Sequence, residues 1–318
     1  MKRHLSIIGA PVWLGQPHYG TQFGPDALRS AGLTQLLQSL YNKVIDLGNI
    51  HIPQNPTTLA TTNPCLRHLG QVRSSSELLA EKVSATVLSG SFPLVLGGDH
   101  SIALGSLSGI AKHYKNLGVI WYDAHADINT PETSPSGNIH GMPLAASMGL
   151  GHKSLTQLSG YFPKVKPENI VIIGARDIDP GEIALIKEKN IKVFTSQEML
   201  KRGASTVMKE AISYLKPKCD GIHLSFDLDV IDPKEAPGVG TPVAHGLEFS
   251  RVLESFELLF QHKIITSADF VEINPLLDQD NETVALTLEL IQMLLGGKAV
   301  CPAIFGSDKK ADQKLYSA

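Results

Sequence analysis

Short runs of nearly uninterrupted apolar residues, many of them β-branched, recur along the chain between longer stretches with helical spacing. The series comprises Leu5-Ser6-Ile7-Ile8, Pro93-Leu94-Val95-Leu96, Val119-Ile120-Trp121-Tyr122, Ile170-Val171-Ile172-Ile173, Ile222-His223-Leu224-Ser225-Phe226, and Ile264-Ile265-Thr266 running on to Val271. A strand with one wet face alternates apolar and polar residues, whereas a strand apolar at successive positions must be covered on both faces. The intervening stretches can supply that cover. Residues Pro25 to Leu40 have a helical pattern with Pro25 at the first position, and a second helix is expected from about Glu282 to Leu295. The pattern predicts one doubly wound α/β domain around a parallel sheet. Leu150 to Pro167 reads only as a connecting segment, and no internal repeat is present.

Composition narrows the class of partner. The 318 residues are 42% hydrophobic and 19% charged, with a net charge of -3, which provides no basic stripe for nucleic acid or an anionic membrane. The opening Met1-Lys2-Arg3-His4 is basic, but Gly9-Ala10-Pro11 cuts the following apolar run too short for a secretory signal. No apolar run approaches the length of a membrane span. Cys65, Cys219 and Cys301 are an odd, scattered set, which fits reduced thiols and a cytoplasmic location better than a disulfide framework. Asn281-Glu282-Thr283 matches a glycosylation pattern but reads as the first turn of the last helix. The expected organisation is one domain over residues 1–305 and a polar tail over 306–318.

In open parallel α/β sheets, ligands bind beyond the carboxyl ends of the strands. Chemistry is therefore expected after Leu96, Tyr122, Phe226 and Phe270. Gly97-Gly98-Asp99-His100-Ser101 follows the first, where the glycines permit a sharp turn that leaves His100 at the crevice edge. Alone this is also a common structural turn with a capping Asp. It lacks the later Gly and Lys of a phosphate loop. After Tyr122 comes Asp123-Ala124-His125-Ala126-Asp127. Alternate residues of an extended chain share a face, so Asp123, His125 and Asp127 are expected to enter one cavity. The competing reading is a solvated loop with a chance histidine, but this cluster ends an apolar strand, where polar residues need a reason.

Asp227-Leu228-Asp229 repeats the alternation after Phe226. Taken singly it fits a helix cap or turn equally well, yet two like charges on one face of a crevice repel unless a cation lies between them. Taken together, the four aspartates carry a charge of −4, which two divalent cations balance. Two metals about 3.5–4 Å apart and sharing carboxylates lower the pKa of a bridging water toward neutrality. Carboxylates with two imidazoles and no thiolate favour manganese, while affinity leaves cobalt, nickel and iron open.

These three segments resemble the signatures of the ureohydrolase superfamily, which includes arginases, agmatinases and formiminoglutamases. The resemblance runs in order from Gly9-Ala10-Pro11 to Glu272-Ile273-Asn274-Pro275. It implies a three-layer α/β/α sandwich around a mainly parallel eight-stranded sheet. It also implies one manganese held by His100, Asp123, Asp127 and Asp227 and a second by Asp123, His125, Asp227 and Asp229. Within the group, the segment from Asp127 to Gly141 is similar to the arginase substrate loop. That likeness implies that Asn129, Ser134 and Ser136 bind the α-carboxylate of an amino acid, as neutral donors that add no positive charge near a guanidinium. Asp179 would meet the α-amino group with Glu182 nearby, although Pro180 and its acidic neighbours also read as a helix start.

The same resemblance implies His140 as proton shuttle, Glu272 as partner of the substrate guanidinium, and Thr241 as a pocket residue. An imidazole is suited to relaying a proton to a leaving amine. The implied reaction is hydrolysis of L-arginine to L-ornithine and urea by a hydroxide bridging two manganese ions. The implied assembly is a trimer or hexamer. Two positions depart from the pattern: Ser134 replaces a common Thr but keeps the hydroxyl, and His245 stands where a second glycine is usual. Alternatives are an agmatinase, for which a carboxylate-binding loop would be wasted, a deacetylase-like amidohydrolase with fewer carboxylates, or a non-catalytic binding protein of the same fold.

Overall fold

A computed structural model describes residues 4–52 and 63–297. Its eight strands are β1 (His4–Ala10), β2 (Val44–Asn49), β3 (Ser91–Gly97), β4 (Leu117–Tyr122), β5 (Ile170–Ala175), β6 (Lys192–Thr195), β7 (Gly221–Asp227) and β8 (Ile265–Val271). They form one sheet in the order β2-β1-β3-β8-β7-β4-β5-β6, and every pair is parallel. The strands alternate between two cores, as a two-residue period requires. Leu5, Ile7, Leu94, Leu96, Ile120 and Tyr122 pack on one face, and Ile8, Val95, Val119 and Trp121 on the other.

Helices cover both faces, which explains the uninterrupted apolar strands. Gly24–Ser30, Leu33–Leu40, Ser196–Arg202, Ala204–Leu215, Phe249–His262 and Glu282–Gly296 contribute to the first core. Leu69–Leu88, Ala103–Ile110 and Pro143–Ser147 contribute to the second. The result is a three-layer α/β/α sandwich. Phe226, Phe256 and Phe270 meet behind the strand ends with ring centroids 5.1–6.2 Å apart. Each such buried ring contributes roughly 1.5–3 kcal/mol through loss of apolar contact with water.

Two elements differ from expectation. The helix expected over Pro25 to Leu40 is two helices, because Gly32 takes a φ of 94 and redirects the chain. Leu150 to Pro167 contains one short helix, Lys153–Thr156, and 3₁₀ turns around it. The last helix starts at Glu282, in accord with a turn at Asn281-Glu282-Thr283, and Asp278 accepts hydrogen bonds from the N–H groups of Thr283 and Val284. The expected polar tail over 306–318 and Cys301 lie outside the described residues. Among the described residues no helix is long and apolar enough to cross a membrane.

Candidate metal centre

The four strand ends singled out from the sequence belong to β3, β8, β7 and β4, which are consecutive neighbours in the sheet. Their carboxyl ends therefore open onto one crevice. At three of them the same local device bends the chain. Asp99 Oδ1 accepts a hydrogen bond from Ser101 N (2.9 Å), Asp123 Oδ1 from His125 N (2.7 Å) and Asp227 Oδ1 from Asp229 N (2.9 Å). Asp side chains favour such turns because they can satisfy the backbone two residues on. Convergence of Asp123, His125 and Asp127 thus comes from a turn and from a left-handed Asp127 (φ 53), and the continued extended chain expected there is absent. The 3₁₀ turn Leu228–Val230 does the same for Asp227 and Asp229.

His100 lies at the centre, fully buried. Its Nδ1 is 3.1 Å from a carboxylate oxygen of each of Asp123, Asp127 and Asp227, yet has no hydrogen-bond partner. A second imidazole nitrogen, His125 Nδ1, is 3.0 Å from Asp229 Oδ2 and 3.2 Å from Asp123 Oδ1. His100, Asp123 and Asp227 form one group able to hold an ion, and Asp123, His125 and Asp229 form another, so Asp123 is common to both. Asp127 approaches the first group through His100, and Asp227 belongs to the first group alone. An unpartnered nitrogen facing three carboxylates is unfavourable as it stands and favourable around a cation. The donor set fits two divalent ions.

The electrostatics point the same way. Burial and the Asp123 charge push Asp127 up to about 6, and burial with neighbouring carboxylates raises Asp227 and Asp229. Burial also opposes the charge on Asp123, but the close imidazoles of His100 and His125 hold it well below the usual range. For both histidines burial disfavours the charge, and the surrounding carboxylates more than reverse that. These buried acids and imidazoles thus favour positive charge among them.

Glu272, at the end of β8, has a φ of 64, a conformation costly for a residue with a Cβ. The bend turns its carboxylate into the crevice. Oε1 accepts from His100 N at 2.9 Å and lies 3.3 Å from His140 Nδ1, while the buried Oε2 has no partner. Burial lowers the His140 value, but Glu272 raises it overall. Gly240 packs directly beside this carboxylate, since a Cβ there would lie 2.7 Å from Oε2 and displace it. The next residue, Thr241, donates from Oγ1 to Asp229 Oδ2 at 3.3 Å. His245 adopts a φ of 62, so the chain keeps at this position a left-handed backbone of the kind glycine favours.

Asn129 Nδ2 donates to Asp179 Oδ2 at 2.8 Å, which joins the predicted carboxylate-binding loop to the predicted amino-group partner. Ser134 and Ser136 are turned into the loop itself, accepting from Gly137 N and Asn138 N at 3.0 and 3.2 Å. Glu182 is buried, with Oε1 accepting from Ile128 N and Oε2 from Asp179 N, so it braces both segments through their backbones. Burial pushes its carboxyl up to about 7.

Trp121 was not singled out from the sequence. Its Nε1 donates to Asp123 Oδ2 at 2.9 Å, and its ring stacks on His100 at 4.1 Å between centroids. Its position two residues before Asp123, near the end of the strand that leads into it, was the available signal. Arg176 was likewise passed over as a site residue, yet its guanidinium donates to the carbonyl oxygens of Asp229, Val230, Val243 and Ala244, tying the Thr241 loop to the second acidic segment.

A parallel three-layer sheet with this doubled acid–imidazole group at its carboxyl edge defines a hydrolase of the ureohydrolase class. The model of the arginase family matches residues 3–296, and the chain belongs to that family. It is 52% identical to an arginase of Bacillus caldovelox over 294 residues, 92% of this chain and 98% of the relative. A solved structure of Bacillus caldovelox arginase superposes with a TM-score of 0.90, covering 94% of this chain and all of that one. An Entamoeba histolytica arginase solved in complex with L-ornithine is 36% identical, with a TM-score of 0.85 over 93% of this chain and all of that one.

Proposed function

We propose that the chain is an arginase that hydrolyses L-arginine to L-ornithine and urea at a centre holding two manganese ions. The single observation carrying this reading is Asp123 shared between two acid–imidazole groups, one of which contains His100, whose backbone N–H meets the Glu272 carboxylate that also contacts His140. Bound there, two divalent ions would supply a nucleophilic oxygen at neutral pH and stabilise charge on the reacting carbon. His100, Asp123, Asp127 and Asp227 would hold one, and Asp123, His125 and Asp229 the other, with Asp227 shared with it as the family resemblance implies. Carboxylate-rich donors with imidazole and no thiolate support manganese.

The remaining work falls to the chain's own side chains. Glu272 Oε2, buried and without a partner, accepts an N–H of the guanidinium and orients it. Hydrolysis joins a water oxygen to the guanidinium carbon and breaks the bond from that carbon to the side-chain nitrogen. The departing nitrogen needs a proton, and His140 delivers it. Asp179 receives the α-ammonium, and Asn129, Ser134 and Ser136 receive the α-carboxylate, with Thr241 and Glu182 supporting the walls. The whole apparatus lies within one domain, 1–305. The homo-oligomeric state implied by the family resemblance and the cytoplasmic location suggested by the sparse cysteines belong to this reading.

The test compares urea release from L-arginine and agmatine with manganese-loaded protein. Agmatine has the guanidinium but no α-carboxylate, so the loop donors stay unpaired. A site built around a polar group rejects an analogue lacking it by up to about 10⁴-fold or more in kcat/KM. Some solvent access at Ser136 softens that, and a preference approaching about 10⁴-fold is expected. Equal turnover of agmatine would overturn the substrate while leaving the metal chemistry intact.

A further inference from the structure

Behind His100 the sheet interior holds four polar residues where apolar ones would ordinarily pack. His223 and Ser225 on β7 face their register partners Ser267 and Asp269 on β8, and none of the four is more than 1% exposed. They form one continuous chain. Ser267 Oγ lies 3.0 Å from His223 Nδ1, and His223 Nε2 lies 3.1 Å from Asp269 Oδ2. Ser225 Oγ donates to Asp269 Oδ1 at 2.6 Å and lies 2.9 Å from His100 Nε2. The chain ends on the imidazole whose other nitrogen faces Asp123, Asp127 and Asp227.

The direction of these bonds follows from donor counting. A carboxylate only accepts, so Ser225 and His223 both donate to Asp269. Ser225 has one hydroxyl proton, already committed, so toward His100 it can only accept. Nε2 of His100 must then carry its proton, and in the neutral ring Nδ1 presents a lone pair. That lone pair points at three carboxylate oxygens, an arrangement that repels without a cation and ligates with one. We propose that Asp269, acting through Ser225 and held in place by His223, is a positioning residue that fixes His100 in the tautomer able to bind the first metal ion. This inference rests on the proposed metal centre. Outer partners of metal-ligating histidines fix tautomer and ring orientation in the same way, and their loss typically weakens metal binding about ten- to hundredfold.

The variants Asp269→Asn and Ser225→Ala, in the full chain, test it. An Asn at 269 can donate toward Ser225, freeing the hydroxyl to donate to Nε2 and moving the His100 proton to Nδ1. Manganese affinity is read by competition with a chelator of known strength, and the melting temperature of the stripped protein is read in parallel. Both variants are expected to bind one equivalent about ten- to hundredfold more weakly and the other as the parent does. Two equivalents held with parental affinity in both variants would overturn the proposal. So would equal weakening of both equivalents that tracks a lowered melting temperature of the stripped protein, since that marks a merely structural role. Should Asp269→Asn fail to fold, Ser225→Ala decides alone, because it leaves the Asp269–His223 pair in place. A parent chain that takes up no manganese would instead refute the metal centre on which the inference rests.

Discussion

One aspartate at each of three strand ends performs two tasks with its two oxygens. In Asp123, Oδ1 accepts the His125 N–H that bends the chain, while Oδ2 accepts from Trp121 and faces His100. Replacing Asp123 or Asp227 removes a turn and a candidate ligand together, so their variants report poorly on either. His140 is a better probe, because it lies beside the centre without belonging to either acid–imidazole group. Its value is raised above that of an ordinary imidazole, so the acid form persists at higher pH, where a nucleophilic hydroxide is easier to form. His140→Asn should lower kcat by roughly 10²–10⁴-fold while two equivalents of metal remain bound, checked by steady-state kinetics alongside elemental analysis. Parental kcat with normal metal content would remove His140 from proton transfer. The acid–imidazole residues were legible because polar residues at the ends of apolar strands demand an explanation, whereas His140, Glu272 and the loop residues were expected only from the family resemblance. The Ser225–Asp269 chain was not read as part of it, although His223, Ser225, Ser267 and Asp269 recur at alternate positions inside otherwise apolar strands.

At the scale of elements, legibility followed burial. The six central strands are covered on both faces and show it as apolar runs. The edge strands β2 and β6 do not, since Val44-Ile45-Asp46-Leu47-Gly48-Asn49 mixes polar and apolar residues and Lys192–Thr195 spans only four positions. An edge strand needs less cover, and charge or glycine there guards against unwanted pairing. The helix Pro180–Lys189 shows how one element serves both fold and site. Glu182 in its first turn accepts the backbone N–H groups of Asp179 and Ile128, tying the helix start to the segment that carries Asp127 and Asn129. Glu182→Ala leaves one buried and one part-buried donor without an acceptor. It should cost about 1–3 kcal/mol in urea unfolding at constant metal loading. A change below about 0.5 kcal/mol, typical of surface substitutions, would show that water or another acceptor replaces the carboxylate.

For the molecule as a whole, the centre is a concentration of buried acids that the fold must tolerate before any ion arrives. Asp127 at about 6 and Glu182 at about 7 are raised above their ordinary values, as are Asp227, Asp229, His100 and His125. A group raised in the folded state contributes stability that is fully present below its unfolded value and is lost as pH rises through its folded value. Asp123 is lowered and works oppositely, its contribution being present above the ordinary carboxylate range and lost in acid. The raised groups are the more numerous, so the stripped chain should lose stability as pH climbs from about 5 to about 8. Metal binding needs these ligands deprotonated and releases their protons, so its affinity grows over the same range, and binding to the folded state stabilises it by mass action. The first effect is common to stripped and loaded protein, so the second alone sets the difference between them. The gap in melting temperature between protein at fixed free manganese and protein in chelator should therefore widen steadily from about pH 5 to about pH 8, with calorimetry recording net proton release on loading. A gap that stays constant, or binding that releases no protons, would mean that the carboxylates are already ionised in the stripped fold and that the crevice is wetter than its burial indicates.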